Sequence, residues 1–196
     1  MIKSSKNKFG KDLYILFPGE FLVMKKEECV MASVTNSCIV VCLFDVKEKI
    51  AGMGHFILPG ALGTDEITVD EIAKQGIADM EYIMGEVVKL GGDRKRLRAT
   101  FFGSLVAAEA DPGQEKMVRE NLRFLREYFT IENIKVVKEN VSPKTQKILF
   151  FCPSGRVHRK DVDAKRDYTE FIRRENEYMQ GLLQKKQQYG KVILFD

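Results

Sequence analysis

Hydrophobic and polar positions in the first third of the chain fall into short runs separated by turn residues. Residues 21–24, 29–34, 39–44 and 50–58 are rich in β-branched and aromatic side chains and read as strands. The last two are joined by Asp45-Val46-Lys47-Glu48-Lys49, a polar connection of hairpin length. The period then changes. Thr68 to Glu71 reads T-x-x-E, a capping box. Ile72, Ile77, Met80, Ile83, Met84, Val87 and Val88 follow near helical spacing and stop at Gly91-Gly92. Residues 97–102 read as a strand. Asp111-Pro112 opens a second helix with proline at its first position, and Met117, Val118, Leu122, Leu125, Tyr128 and Phe129 form its apolar face. Strands return at 134–137, 148–152 and 156–160. Strands mixed with helices predict a layered α/β or α+β domain.

The last part of the chain has a different texture. Residues 161–188 are very polar, with a narrow stripe of Tyr168, Phe171, Ile172, Tyr178, Met179, Leu182 and Leu183 at helical spacing. Gly190 interrupts this pattern, and Val192-Ile193-Leu194-Phe195 is a short β-prone hook suited to a sheet edge. The chain therefore divides into a loose charged lead over 1–12, one domain over 13–160, and a C-terminal extension over 161–196.

Composition narrows the class. The 196 residues are 44% hydrophobic and 31% charged with a net charge of +4, an ordinary balance for a globular chain with a sizeable core. A basic start, with Lys3, Lys6, Lys8 and Lys11, precedes an apolar stretch at 13–17 that is too short for a signal-peptide core. No run approaches the ~20 apolar residues of a membrane span. The expectation is a cytoplasmic protein without membrane insertion. Cys29, Cys38, Cys42 and Cys152 are then expected as thiols, and their spacing fits no common zinc pattern. Arg94-Lys95-Arg96 with Arg98, and the basic residues between Arg156 and Arg166, are diluted by Asp93, Asp161 and Asp163. They read as solvated faces rather than a nucleic-acid surface.

Chemistry concentrates at one cysteine and one histidine. Pairing Phe44 with Ile50 places Cys38 opposite Phe56, and a register one residue tighter, or a single bulge, places it opposite His55. Opposite residues share a face and lie ~4.5–5.5 Å apart at Cβ. An imidazole at that distance can take the thiol proton and make a nucleophile. Cys38 follows Thr35-Asn36-Ser37, a small polar cluster that suits a turn and leaves backbone N–H groups free to face an oxyanion. Cys42, Cys29 and Cys152 read as packing, and His158 as surface.

The same stretch resembles the chemoreceptor glutamine deamidase family, CheD. The family shows Ser-Cys, an apolar strand, an aromatic-Asp pair, a basic turn, Gly-Gly/Ala-Met, one residue, His, an apolar pair and Leu-Pro. Here these are Ser37-Cys38, residues 39–43, Phe44-Asp45, residues 47–49, Ala51-Gly52-Met53, Gly54, His55, Phe56-Ile57 and Leu58-Pro59. The interval of 17 residues from Cys38 to His55 agrees, and weaker echoes follow at Phe102-Gly103-Ser104 and Gly155-Arg156-Val157. Asn36 stands where the family has glycine. Ala32 stands where it has a threonine that completes the catalytic group, so Ser33 or Thr35 is left to supply a hydroxyl.

The resemblance implies a compact α/β/α-type sandwich of mixed sheets with flanking helices, followed here by the C-terminal amphipathic helix. It implies a thiol hydrolase that deamidates glutamine on the cytoplasmic helices of chemoreceptors in bacterial chemotaxis, with methylesterase activity as a second reaction. Cys38 is the nucleophile, His55 the base, and Ser33 or Thr35 the third group; Ser37 and Asn36 shape the oxyanion turn. No metal or organic cofactor is required. A CheC-type phosphatase is the implied partner. The alternative is a weakly active CheD-like adaptor that regulates such a phosphatase or the receptor array. The tail helix is expected on the outside of the domain, away from the mouth at Cys38.

Overall fold

The computed structural model describes residues 2–4, 10–25, 27–56, 69–105 and 112–189. Ten strands and four helices follow one another among them: β1 (Ile2–Ser4), β2 (Asp12–Ile15), β3 (Glu20–Lys25), β4 (Cys29–Thr35), β5 (Ile39–Asp45), β6 (Ile50–Phe56), α1 (Val69–Lys89), β7 (Leu97–Ser104), α2 (Pro112–Ile131), β8 (Lys135–Ser142), β9 (Gln146–Phe151), β10 (Arg156–Asp161), α3 (Ala164–Asp167) and α4 (Thr169–Tyr189). Thr68, Asp111, residues 57–58 of the expected fourth strand and the hook at 192–195 lie outside the described residues.

The strands form two five-stranded sheets, ordered β1-β2-β4-β9-β10 and β3-β6-β5-β7-β8. Both are mixed: β2 runs parallel to β4 and β7 parallel to β8, while the other pairs are antiparallel. The fold is thus an α/β arrangement of mixed sheets with flanking helices. Alternation along β5 sets the layers. Ile39, Val41 and Leu43 pack with Met80, Ile83 and Met84 of α1 and Leu122, Leu125 and Phe129 of α2. Val40, Cys42 and Phe44 pack with Met31, Ile148 and Phe150 of the other sheet. A strand buried on both faces needs apolar residues throughout, which is why 39–44 shows no alternation. β9, on the outer sheet, alternates between buried and half-buried residues.

β6 shows the same logic in its glycines. A Cβ on Gly54 would lie 2.4 Å from Ile83 of α1, and one on Gly52 would lie 3.2 Å from the same side chain. α1 therefore lies directly on the glycine face, and Ala51, Met53 and His55 point the other way, between the sheets.

Three expectations are corrected. The charged lead is not without structure: β1 pairs antiparallel with β2, and β2 joins β4. The hairpin register is neither of the two anticipated. Asp45 pairs with Ile50 and Val40 with His55, one residue looser than the Phe44–Ile50 pairing. Asp45 stays in the ladder because its carboxylate accepts the N–H groups of Lys47 and Glu48 at 2.9 and 3.0 Å, closing the turn from inside the strand. Lys49 takes the left-handed backbone that completes this turn, with φ 55°. Finally, the polar tail is two helices rather than one, interrupted at Tyr168.

Candidate active site

Two segments cross between the sheets side by side. One is the Asn36-Ser37-Cys38 turn between β4 and β5; the other runs from Leu16 to Gly19, between β2 and β3. They are tied down by Leu16 N–H to the Ala32 carbonyl at 2.8 Å and Gly19 N–H to the His55 carbonyl at 2.7 Å. The end of the inter-sheet layer between them holds Ser33 from one sheet and His55 from the other.

Ser33 Oγ donates to the Leu16 carbonyl at 2.7 Å and lies 2.7 Å from His55 Nδ1. A hydroxyl has one hydrogen. With that hydrogen on Leu16, the oxygen accepts from Nδ1–H, so the network assigns the imidazole proton to Nδ1 and leaves Nε2 as a bare acceptor. Nε2 is buried and has no hydrogen-bond partner. Burial pushes the His55 pKa down to about 4, against a smaller upward effect of the Leu16 backbone. The ring is therefore neutral near pH 7, in the tautomer a general base needs.

Cys38 is fully buried. The hairpin register puts it on the His55 face, one diagonal step from the Val40–His55 pair rather than directly opposite. Its thiol does not hydrogen-bond to Nε2. It lies instead beside the carboxylate of Glu175, from α4. Burial pushes the thiol pKa well up, and the Glu175 charge adds to the shift. The same carboxylate gathers the turn: Glu175 Oε1 accepts the Ser37 N–H at 2.5 Å and the Ser37 hydroxyl at 2.5 Å. Burial raises the Glu175 pKa, with these donors pulling it back.

The remaining candidates fall into place around this pair. Of the two hydroxyls offered for the third role, Ser33 touches His55. Thr35 Oγ1 is buried without a partner. Ala32 lies on the opposite face of β4 from Ser33, since Met31 and Ser33 pair with Phe150 and Ile148 of the inter-sheet core. Asn36 does not use the left-handed backbone. It secures the turn through its side-chain oxygen, which accepts from Thr145 Oγ1 at 3.1 Å. Cys42 sits in the inter-sheet core with its pKa raised by burial. Cys29 and Cys152 are buried with their sulfurs 2.9 Å apart, and His158 is exposed. Among the described residues no group of three His, Cys, Asp or Glu side chains is placed to hold a metal ion. No helix of the described residues is long and apolar enough to cross a membrane.

Sequence reasoning missed Glu175 and misplaced the helix that carries it. α4 lies over the Cys38 turn, not away from it. Phe171 packs on Phe17 with ring centroids 4.6 Å apart, and Arg174 stands 3.9 Å over the same Phe17 ring. Tyr178 lies against Gly19, where a Cβ would come within 2.5 Å of its ring. Each ring contact contributes about 1 kcal/mol. Residues 171, 174, 175, 178 and 179 follow the spacing of one helical face. A visible signal was present: Glu175 interrupts the apolar stripe, and a charge inside such a stripe is buried when the stripe docks. A cleft of about 170 Å³ opens beside this arrangement, lined by Gly54, His55, Asp79 and Tyr82 and closed on one side by Tyr178.

Comparison with known proteins gives a consistent family. The family model described as CheD chemotactic sensory transduction matches residues 57–161. A probable chemoreceptor glutamine deamidase CheD from Laribacter hongkongensis is 32% identical over 159 residues, covering 81% of this chain and 76% of that protein. A probable chemoreceptor glutamine deamidase CheD 1 from Dechloromonas aromatica is 32% identical over 172 residues, covering 87% of this chain and 83% of that protein. Among solved structures, the hypothetical protein YfiH of Bacillus licheniformis is similar with a TM-score of 0.41 at 14% identity, over 63% of this chain and 50% of that one.

Proposed function

This chain belongs to the CheD family, and from that premise we propose that it is a cysteine hydrolase converting glutamine side chains of chemoreceptors to glutamate, inside the cell. The observation that carries the reading is the Ser33 hydroxyl on His55 Nδ1, on the face that the hairpin register shares with Cys38, whose turn already holds a carboxylate through the Ser37 N–H. His55 Nε2 accepts the Cys38 proton. The thiolate adds to the amide carbon, and the Ser37 and Cys38 N–H groups hold the oxyanion. The charged imidazole, held through Nδ1 by Ser33, returns its proton to the departing ammonia. Water then opens the thioester with His55 as base, giving glutamate and restoring the thiol. A glutamate methyl ester follows the same path with methanol as leaving group, which supports methylesterase activity as the second reaction.

The substrate lies on a receptor helix, so the mouth must accept a helix-borne side chain. A CheC-type phosphatase that presents a similar surface is the partner this reading favours. One observation favours the adaptor alternative: the thiol is buried, protonated and turned to Glu175 rather than to His55. Mass spectrometry of a receptor fragment decides between the two. Incubation with the full chain is expected to convert glutamine to glutamate, and incubation with Cys38→Ala is not. Conversion by neither protein, while both bind the fragment, would favour the adaptor.

A further inference from the structure

The deamidase reading leaves Glu175 without a role, and its position is unusual. It is a carboxylate 2% exposed, carried on the docked face of a helix and surrounded by Phe171, Arg174 and Tyr178. Burying a charge is unfavourable unless donors surround it. The donors here are the Ser37 backbone N–H and the Ser37 hydroxyl, both on Oε1, and the Cys38 thiol lies beside the same carboxylate. The Ser37 N–H belongs to the turn that the reaction directs at a substrate's carbonyl oxygen, and the thiol is the group that attacks the carbon next to it. A glutamate on a helix is also the product of the reaction.

We propose that α4 is an internal product: the Glu175 side chain occupies the place of a receptor's glutamine side chain, and α4 covers the groove the receptor helix must enter. The inference rests on the deamidase reading for the identity of the ligand and on geometry alone for the cover. The consequences are specific. With Glu175 seated, the Cys38 thiol lies beside a carboxylate and His55 Nε2 has no hydrogen-bond partner, so the two catalytic groups are present but not engaged. Departure of α4 removes a negative charge from the thiol, uncovers the turn N–H groups and opens the cleft beside His55. A receptor helix that displaces α4 gains the same groove and the same donors, so access to the site depends on competition between the substrate helix and the internal one.

The test uses full-length wild type, Glu175→Ala and the nearly isosteric Glu175→Gln. Alkylation of Cys38 by iodoacetamide, followed by peptide mapping, is expected to accelerate in Glu175→Ala by roughly ten- to hundredfold, the factor that loss of charge-assisted hydrogen bonds gives an opening equilibrium. In Glu175→Gln the introduced amide sits where a substrate amide belongs. The Cys38 sulfur bonds to its carbonyl carbon as the C–N bond breaks and ammonia leaves, and water hydrolyses the thioester. The peptide containing position 175 is therefore expected to gain the mass of an amide-to-acid conversion, and not to do so when Cys38→Ala is added. Unchanged alkylation in both single variants would overturn the cover. Faster alkylation and conversion of a receptor fragment, with the introduced amide untouched, would overturn the product position. Faster alkylation with no conversion of either amide would leave the cover standing and defeat the deamidase reading instead.

Discussion

Two turns in this protein each bury a carboxylate against backbone N–H groups. At the β5–β6 hairpin, Asp45 accepts from Lys47, Glu48 and Asp93 and is bridged by the Arg96 guanidinium at 2.9 Å. Burial alone would raise its pKa, but Arg96 and the N–H groups outweigh it and hold the carboxyl at about 2. At the Cys38 turn, Glu175 is faced by one N–H group, a hydroxyl and a thiol, and burial raises its pKa instead. The difference is compensation. Asp45 is a local staple, close in sequence to the turn it closes and neutralised by a cation. Glu175 reaches 138 residues across the chain to an imperfectly compensated site. A charge buried that way marks a contact made to be released, whereas the hairpin contact is made to stay.

The comparison predicts that variants at one turn change chemistry and variants at the other change stability. The largest effect is expected at the imidazole: His55→Ala should lower turnover on a receptor peptide by roughly 10²–10⁴, the worth of a general acid–base group. His158→Ala and Asp45→Ala should leave turnover per folded molecule within about twofold. Steady-state rates, normalised to folded protein, check this, and equal losses at His55 and His158 would break the assignment. Next, Asp45→Ala should lower unfolding free energy by about 3 kcal/mol, because it strands Arg96 and the turn N–H groups. Glu175→Gln added to Cys38→Ala, where the introduced amide stays intact, should change it by less than about 1 kcal/mol relative to Cys38→Ala alone, since the amide oxygen keeps the same donors. Urea denaturation of the two variants tests the contrast directly.

Ser33→Ala should cost about tenfold in turnover by releasing Nδ1 of His55, and about 1–3 kcal/mol in stability, because the Leu16 carbonyl and Nδ1 lose a buried partner. Thr35→Ala and Ala32→Thr should be close to silent in the same assay, since one hydroxyl is unpartnered and the other position faces away from the imidazole. Activity restored to Ser33→Ala by Ala32→Thr would show that the strand faces are misassigned.

The smallest effect is in pH dependence. His55 has its folded pKa lowered from 6.5 to about 4, so the unfolded chain takes up the proton first and stability falls as pH drops between those values. His55→Gln should flatten that part of the stability–pH curve. Glu175 has the opposite sign. Its raised pKa means that the seated form is favoured below its ordinary value and weakens as pH rises through the raised one. The alkylation rate of Cys38 should therefore rise with pH more steeply in wild type than in Glu175→Ala, where only the thiol titrates.

Much of this was written locally in the chain. The run at 39–44 fixed a doubly buried strand, the alternation of glycine with larger residues over 51–55 fitted a strand lying against a helix, and the polar cluster before Cys38 marked the turn between the two sheets. Those features depend on neighbours within a few residues, where backbone period and side-chain volume decide the outcome. The register of the hairpin depended on whether Asp45 sat in the ladder or in the loop, a choice made by two N–H groups and by Arg96 from another element. The hydroxyl that meets His55 is Ser33 because sheet pairing with β9 turned that face inward, and no alternation within β4 alone could say which face was inner. Glu175 was further still from local view. Its helix was legible from its stripe, but a stripe does not name the surface it covers. Only packing against Phe17, Gly19 and Ser37 decided that, because docking energy is spread over contacts from segments that are distant in sequence and meet only after both sheets have formed.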